Sequence, residues 1–350
     1  MQLLAIARGL DPQRWRALCV LPERGELAER LEGAGAEVVV HPLAVLRRRL
    51  VNPAGALGLA RAMRRDRAEI GALARNRGAV LVHANTSVIL SGGAVARAVG
   101  VPHLVHVREI YPRLRVAWPV MRRRLLRADA LACISHAVQA QFAGSPRAHL
   151  VYDGLARVPE PPGREAARER LGLPADAFVA AFVGRLSGWK GQDVLARALA
   201  LEPLAEIGAI GLVAGDEVPG SGEGAGLDRL AAELDVQERL VRLGFVQDTD
   251  VVLGAANAVV VPSKRPEPLG LVALEGMAAG LPVVASNEGG VAEIVREAKA
   301  GALVPPGDPA ALATALRTLA DHPVTVGGLP ERFTAERMLA EIQALYDELV

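Results

Sequence analysis

Short, continuous apolar runs alternate with longer segments of helical period along the whole chain. The runs of the first half fall near 16–21, 36–41, 79–83, 102–107, 129–134 and 147–152. Those of the second half fall near 178–184, 209–214, 240–246, 258–262, 282–285 and 301–304. They are apolar throughout rather than alternating in and out, as parallel strands covered on both faces require. Helical patterns lie between them, at 24–34, 54–76, 88–99 and 135–143, then at 190–200, 226–235, 249–256, 269–279, 290–298 and 309–320. Repeated strand-then-helix units imply right-handed crossovers and two doubly wound α/β sheets. The boundaries predicted are 1–154 for the first domain, a Pro-rich linker at 155–175, and 176–330 for the second domain. The last segment, 334–349, is an amphipathic helix with Met338, Leu339, Ile342, Leu345 and Leu349 on its apolar face.

One element is missing from this pattern. A doubly wound domain normally opens with a central strand and a Gly-rich turn. This chain opens with a helix whose apolar face is Leu3, Leu4, Ile6, Ala7 and Leu10. No strand is expected before residue 15, so the runs at 16–21 and 79–83 should flank a gap or have closed up.

Composition narrows the class. Of 350 residues, 51% are hydrophobic, enough to give each half a full core and to exclude a disordered chain. Cys19 and Cys133 are the two cysteines, so neither a disulfide framework nor a zinc site is supported. The N-terminus does not read as a signal peptide, and no apolar run is long enough to span a bilayer, so a cytoplasmic location is expected. The net charge of +1 conceals an asymmetry: residues 1–150 carry +13 and the rest −12. The basic half should meet something anionic. Residues 41–77 hold nine arginines, Arg47, Arg48 and Arg49 among them, against Asp66 and Glu69. A second cluster, Arg122, Arg123, Arg124 and Arg127, lies beside Trp118 and Leu125. An anionic membrane surface is the expected partner, and a nucleic acid is not.

The chemistry concentrates in two stretches. In 258–290, a strand ends at Val261-Pro262-Ser263, Glu267 follows in a loop, Gly270 opens a helix, and Glu275 lies one to two turns into it. Backbone N–H groups of Leu269, Gly270 and Leu271 at that helix start can hold a phosphate. The two carboxylates flanking an anion site would bind hydroxyls. In 182–192, a strand ends at Gly184, and Arg185 and Lys190 follow as cations suited to a diphosphate.

These residues resemble the retaining glycosyltransferases of family 4, within glycosyl transferases group 1. The likeness lies in VGRLSGWKGQD (Val183 to Asp193), EPLGLVALE (Glu267 to Glu275), GMAAGLPVVAS, the Gly289-Gly290 turn with Glu293 and Ile294, and GALVPPGDPAALA. It covers nearly all of 178–350 and is weaker over 80–155, in VHANTS, HVREI, ACISHAV and VYDGL. The resemblance implies the GT-B fold: two Rossmann-like domains facing a cleft, a last helix (331–350) crossing back to the first domain, and here an N-terminal truncation of the first strand. It implies transfer of a sugar from a UDP- or GDP-type nucleoside diphosphate sugar to a glycan or lipid-linked acceptor, with retention, without metal or other cofactor, in envelope or polysaccharide biosynthesis.

The site residues follow from the same likeness. Arg185 and Lys190 would bind the diphosphate with the N–H groups of Leu269, Gly270 and Leu271. Glu267 would bind the transferred sugar, as a catalytic residue with His106, and Glu275 the ribose. The base would sit near Gly244 and Phe245. His83, Asn85 and Arg108 would lie on the acceptor side, although a core histidine is the better reading of His83.

Three other features carry less. Ser135-His136 is no hydrolase pair, since adjacent helical residues point apart. Asp248-Thr249-Asp250 imitates a metal-binding DxD but is expected to start a helix, with Asp248 as its N-cap. No G-x-G-x-x-G follows a strand, against a dinucleotide oxidoreductase. The second functional class is a truncated, non-catalytic nucleotide-sugar-binding protein.

Overall fold

The structure is a computed structural model that describes residues 2–46, 53–111 and 118–350. Arg47, Arg48 and Arg49 lie outside the described residues. The chain divides into two compact units, Met1–Ala156 with Arg332–Val350, and Arg157–Glu331. Both are α/β with parallel sheets.

The first unit runs α1 (Gln2–Gly9), β1 (Leu18–Leu21), α2 (Glu26–Glu32), β2 (Glu37–Val40), α3 (Pro53–Asn76), β3 (Val82–Ala84), α4 (Gly92–Val99), β4 (His103–Val107), α5 (Trp118–Leu125), β5 (Ala130–Cys133), α6 (His136–Gln139) and β6 (Ala148–Leu150). Its strands form two sheets, a pair β1-β2 and a run β3-β4-β5-β6. No described strand precedes β1, and β1 and β3 do not pair with each other. Helix α1 packs on both parts. Leu4 joins Cys19, Leu21, Ala28 and Leu31, whereas Ile6 joins Leu104, Ala130 and Ala132 of the larger sheet. Helix α4 starts later than its apolar pattern does, because 88–90 is taken up in pairing with 44–46. Leu46 N–H donates to Val88 O and Leu90 N–H to Ala44 O.

The second unit runs α7 (Arg164–Leu171), β7 (Val179–Val183), α8 (Gln192–Leu199), α9 (Glu202–Ala205), β8 (Ile210–Ala214), α10 (Glu223–Glu233), β9 (Leu240–Gly244), α11 (Asp250–Ala255), β10 (Ala258–Val261), α12 (Leu271–Ala278), β11 (Val283–Ser286), α13 (Gly289–Ala298), β12 (Gly301–Val304) and α14 (Pro309–Asp321). Its six strands are ordered β12-β11-β10-β7-β8-β9. The order reverses at β7, which puts a ligand crevice at the carboxyl ends of β7 and its neighbours. The stretch 155–175 is not a free linker. It contains α7, whose Ala167 is buried and whose Arg168 donates to the carbonyl of Ala255 and to Asn257 Oδ1. The Pro-rich composition conceals a helix that packs on α11.

Helix α15 (Ala335–Leu349) closes the first unit. Met338, Ile342, Leu345 and Tyr346 pack on Leu104, Ala130, Ala132 and Val151. Its approach is fixed by Gly154: a Cβ there would stand 2.2 Å from the carbonyl oxygen of Thr334. Phe333 is buried edge-on against Tyr152, with ring centroids 5.0 Å apart. Ile342→Ala leaves a cavity at a fully buried position. It should cost about 2–5 kcal/mol. The check is the urea midpoint of the full chain, and an unchanged midpoint would mean that α15 does not form this core.

Candidate functional site

A pocket of about 490 Å³ opens at the carboxyl ends of β7, β8 and β9. Gly184 and Arg185 form one wall, Gly215 to Pro219 a second, and Phe245, Val246 and Thr249 a third. The walls touch through backbone. Gly215 N–H donates to Gly244 O at 2.7 Å, and Leu186 N–H to Asp216 O at 2.9 Å. A Cβ on Gly215 would stand 2.1 Å from the Gly184 carbonyl, so this approach needs glycine. The Phe245 ring is 72% exposed beside the pocket, an apolar face free to stack on a planar group. Arg185 is exposed, and among the described residues no side-chain hydrogen bond or ion pair occupies its guanidinium.

Lys190, Ser263 and Glu267 meet at the ends of β7 and β10. Glu267 is 7% exposed, and its Oε2 accepts from Lys190 Nζ at 2.8 Å and from Ser263 Oγ at 3.0 Å. The Lys190 ammonium also lies 4.6 Å from the centre of the Trp189 ring. The backbone of Glu267 is held as tightly. Its carbonyl accepts from Gly290 N–H at 2.7 Å, and a Cβ on Gly289 would stand 2.2 Å from the same oxygen. Gly270 adopts φ 89° as the N-cap of α12, and a Cβ there would press on Val291 at 3.0 Å. The first N–H groups of α12 have no intrahelical acceptor, so they and the helix dipole suit an anion. Leu271 is half-buried, whereas Leu269 is buried at 2% and contributes backbone only. Glu275 lies on α12, and burial pushes its carboxyl up despite Arg157 nearby.

The Asp248-Thr249-Asp250 stretch differs from expectation. The N-cap of α11 is Thr249, not Asp248. Asp248 instead accepts from the N–H of Asp250 at 3.1 Å. Asp250 is held by both ends of the Arg157 guanidinium, at 2.7 and 2.6 Å. Its carboxylate is therefore engaged in an ion pair inside the second unit.

In the first unit, Asn85, Arg108 and Asp153 follow β3, β4 and β6 and meet. Arg108 donates to both oxygens of Asp153, at 2.6 and 3.0 Å, and to Asn85 Oδ1 at 3.0 Å. Its third partner is Nδ1 of His106, at 3.1 Å. His106 is fully buried and stacks on His83, whose Nδ1 meets the Tyr346 hydroxyl at 2.8 Å. Burial first, then the Arg108 charge, pushes both imidazoles down, His83 to about 3 and His106 well below its usual value. Both are neutral at pH 7. His83 is thus a histidine of the unit's interior. Asp153 lies in the VYDGL stretch, but its role escapes a sequence reading because its partner is 45 residues away. Ser263 and Trp189 were visible only as neighbours of a strand end and of Lys190.

A two-unit α/β fold with a pocket at the carboxyl ends of β7, β8 and β9, beside the switch point between β7 and β10, belongs to the doubly wound class. Residues 163–336 match the family described as glycosyl transferases group 1. The second unit therefore carries a glycosyl transferases group 1 domain, and the fold of the chain is GT-B. D-inositol 3-phosphate glycosyltransferase of Streptomyces avermitilis is 42% identical over 170 residues, 46% of this chain and 36% of that protein. The Mycolicibacterium gilvum protein of the same name is 39% identical over 194 residues, 54% of this chain and 43% of its own. The chain thus spans about two-fifths of the length of these curated relatives. The solved structure of Anabaena HepE in complex with UDP and glucose has a TM-score of 0.80 at 26% identity, covering 99% of this chain and 95% of that one. The matched family and the two curated relatives are glycosyltransferases.

Two predictions follow from this geometry. Lys190→Ala should weaken nucleoside diphosphate binding by about one to two decades, the effect of a lost charge-assisted contact of ~1.5–3 kcal/mol. Calorimetric titration of the diphosphate reads this out, and equal affinity would remove Lys190 from the site. The depressed imidazoles make the chain acid-sensitive. The unfolded chain takes up protons near pH 6.5 and the buried rings do not, so stability is full above about 6.5. It should fall progressively as pH drops toward the folded value of about 3 for His83. Urea midpoints at pH 7 and pH 5 should differ in that sense, and His83→Gln should flatten the slope.

Proposed function

We propose that this protein is a retaining, metal-independent glycosyltransferase that moves a sugar from a nucleoside diphosphate sugar to a glycan or lipid-linked acceptor in cell-envelope or polysaccharide biosynthesis. The observation that carries the reading is the Lys190–Glu267–Ser263 junction beside the α12 N-terminus, next to a pocket of nucleotide size. The pocket would take the base and ribose, with Phe245 against the base and Glu275 toward the ribose hydroxyls. Arg185, Lys190 and the backbone N–H groups of Leu269 to Leu271 would take the diphosphate. Negative charge grows on the departing phosphate in an oxocarbenium-like transition state, and these groups are aimed at that charge. Glu267, held by Lys190 and Ser263, would accept hydrogen bonds from the sugar. In this reading the leaving phosphate takes the acceptor proton on the face it vacates, and no carboxylate nucleophile is used. His106, buried behind Arg108, acts as a positioning residue in this scheme, and Asn85 and Arg108 shape the acceptor side. The UDP and glucose in the HepE complex favour a uridine donor. The family match, residues 163–336, falls almost wholly in the second unit, so it supports the donor half of the reading more than the acceptor half.

The basic first unit supports a peripheral, inner-face membrane location. Arg61, Arg64, Arg67 and Arg123 are exposed, as are Leu57 at 56% and Val120 at 72%. Other members of the clusters are engaged: Arg65 with Pro42 O and Asp66, Arg122 with Gln141 O. No described helix is long and apolar enough to cross a membrane. The split sheet of the first unit favours one other reading, a nucleotide-sugar-binding protein that does not transfer.

A panel of UDP- and GDP-sugars, titrated with and without EDTA and assayed for sugar release or transfer, tests these readings. Tight UDP-sugar binding with turnover insensitive to EDTA is expected. Binding without turnover on any acceptor supports the non-catalytic reading, and no nucleotide binding at all would sink both. Flotation should show adsorption to anionic but not neutral vesicles, lost at high salt.

A further inference from the structure

The first unit contains a second cavity, of about 60 Å³, between α4, α5 and the start of β4. Three arginines line it: Arg97 from α4, and Arg124 and Arg127 from α5 and the residues just after it. No carboxylate forms an ion pair with any of the three among the described residues. Arg124 is the most enclosed and donates to the Leu90 carbonyl. His103 lines the same cavity, and its Nε2 is buried without a hydrogen-bond partner. The nearest acid, Asp129, is exposed and accepts from the backbone N–H of His103. Gly92 and Gly93 let the imidazole lie against α4. A Cβ on Gly92 would stand 2.6 Å from His103 Nε2, and one on Gly93 3.1 Å from Nδ1.

Three like charges around one small cavity repel each other, and burial with the charges of Arg97 and Arg127 already pushes the Arg124 guanidinium down. A fold keeps such a cluster cheaply when an anion fills it. We propose that this cavity binds a phosphate group, held by Arg97, Arg124 and Arg127 with His103 Nε2–H as a neutral donor. The chemistry fits phosphate because guanidiniums offer paired N–H groups to its oxygens. Among the lining residues, only arginines and a neutral imidazole approach the cavity as charged or titratable groups. The cavity lies in the first unit, so this site is separate from the donor pocket built by the second. The phosphate is carried either by a soluble organic phosphate or by a lipid headgroup.

The test uses the full chain with Arg185→Ala, so that the diphosphate pocket contributes little to phosphate binding. Inorganic phosphate is titrated at constant ionic strength by calorimetry, and phosphatidylcholine vesicles with and without phosphatidic acid are tested by flotation. The variant is R97Q/R127Q, two exposed positions. R8Q/R16Q removes the same charge at two exposed positions elsewhere on the unit. One phosphate should bind, with affinity about tenfold or more weaker in R97Q/R127Q and unchanged in R8Q/R16Q. Loss confined to the solution titration identifies a soluble phosphate, and loss confined to phosphatidic acid vesicles a headgroup. No binding to either probe, or equal weakening in both double variants, overturns the proposal.

Discussion

Glu267 is the residue on which the second unit's site depends, because its side chain and its backbone are fixed by different loops. Its carboxylate is held by Lys190 after β7 and by Ser263 after β10. Its carbonyl is held by Gly290 at the start of α13. Gly289 must lack a Cβ for that contact to form. Three segments far apart in the chain are thus drawn to one point at the carboxyl edge of the sheet. The pairing carries a desolvation cost, since both charges are largely removed from water. Its return is geometric: a cation and a carboxylate are placed before any ligand arrives, which is what a preorganised electrostatic site requires.

The first unit solves a different problem by the same means. A buried Asp153 and a fully buried His106 would each be costly alone. Arg108 reaches both and Asn85, so three strand ends are joined through one guanidinium. The stack of His106 on His83 extends the network to Tyr346 of α15. The C-terminal helix is therefore tied to the strand ends by a polar contact as well as by its apolar face. This tie also explains why the His83 imidazole is kept neutral: its environment is set by packing, with Arg108 adding repulsion to any proton it takes up.

Most of this was legible in the sequence where one local signal sufficed. Every strand in the structure falls within or beside an apolar run, because a doubly covered parallel strand needs nothing else to mark it. That no described strand precedes β1 was legible too, and among the described strands β1 pairs with β2 alone. Helix α7 was obscured because prolines before and after it dominate the composition of 155–175. Helix α9 was missed because four residues are too few for a periodic pattern. Lys190, Glu267 and Gly270 stood out through spacing. Asp153 and Ser263 did not, since their roles come from contacts made only after folding.

The charge asymmetry shows how far composition alone can carry an argument. Counting arginines predicts a basic first unit, but the count treats every guanidinium alike. The structure divides them into classes. Arg108 is neutralised by Asp153 and belongs to the interior network. Arg65, Arg122 and Arg147 spend their donors on carbonyls of the same unit. Arg61, Arg64, Arg67 and Arg123 stand exposed, where screening limits each to a modest pull on a distant anion. Arg97, Arg124 and Arg127 converge on one cavity, where lower dielectric strengthens both their mutual repulsion and their attraction for an anion. A formal charge of one sign therefore divides into a structural part, a diffuse part and a focused part. Only the focused part has the geometry to select one ligand from among the anions that the diffuse part would gather.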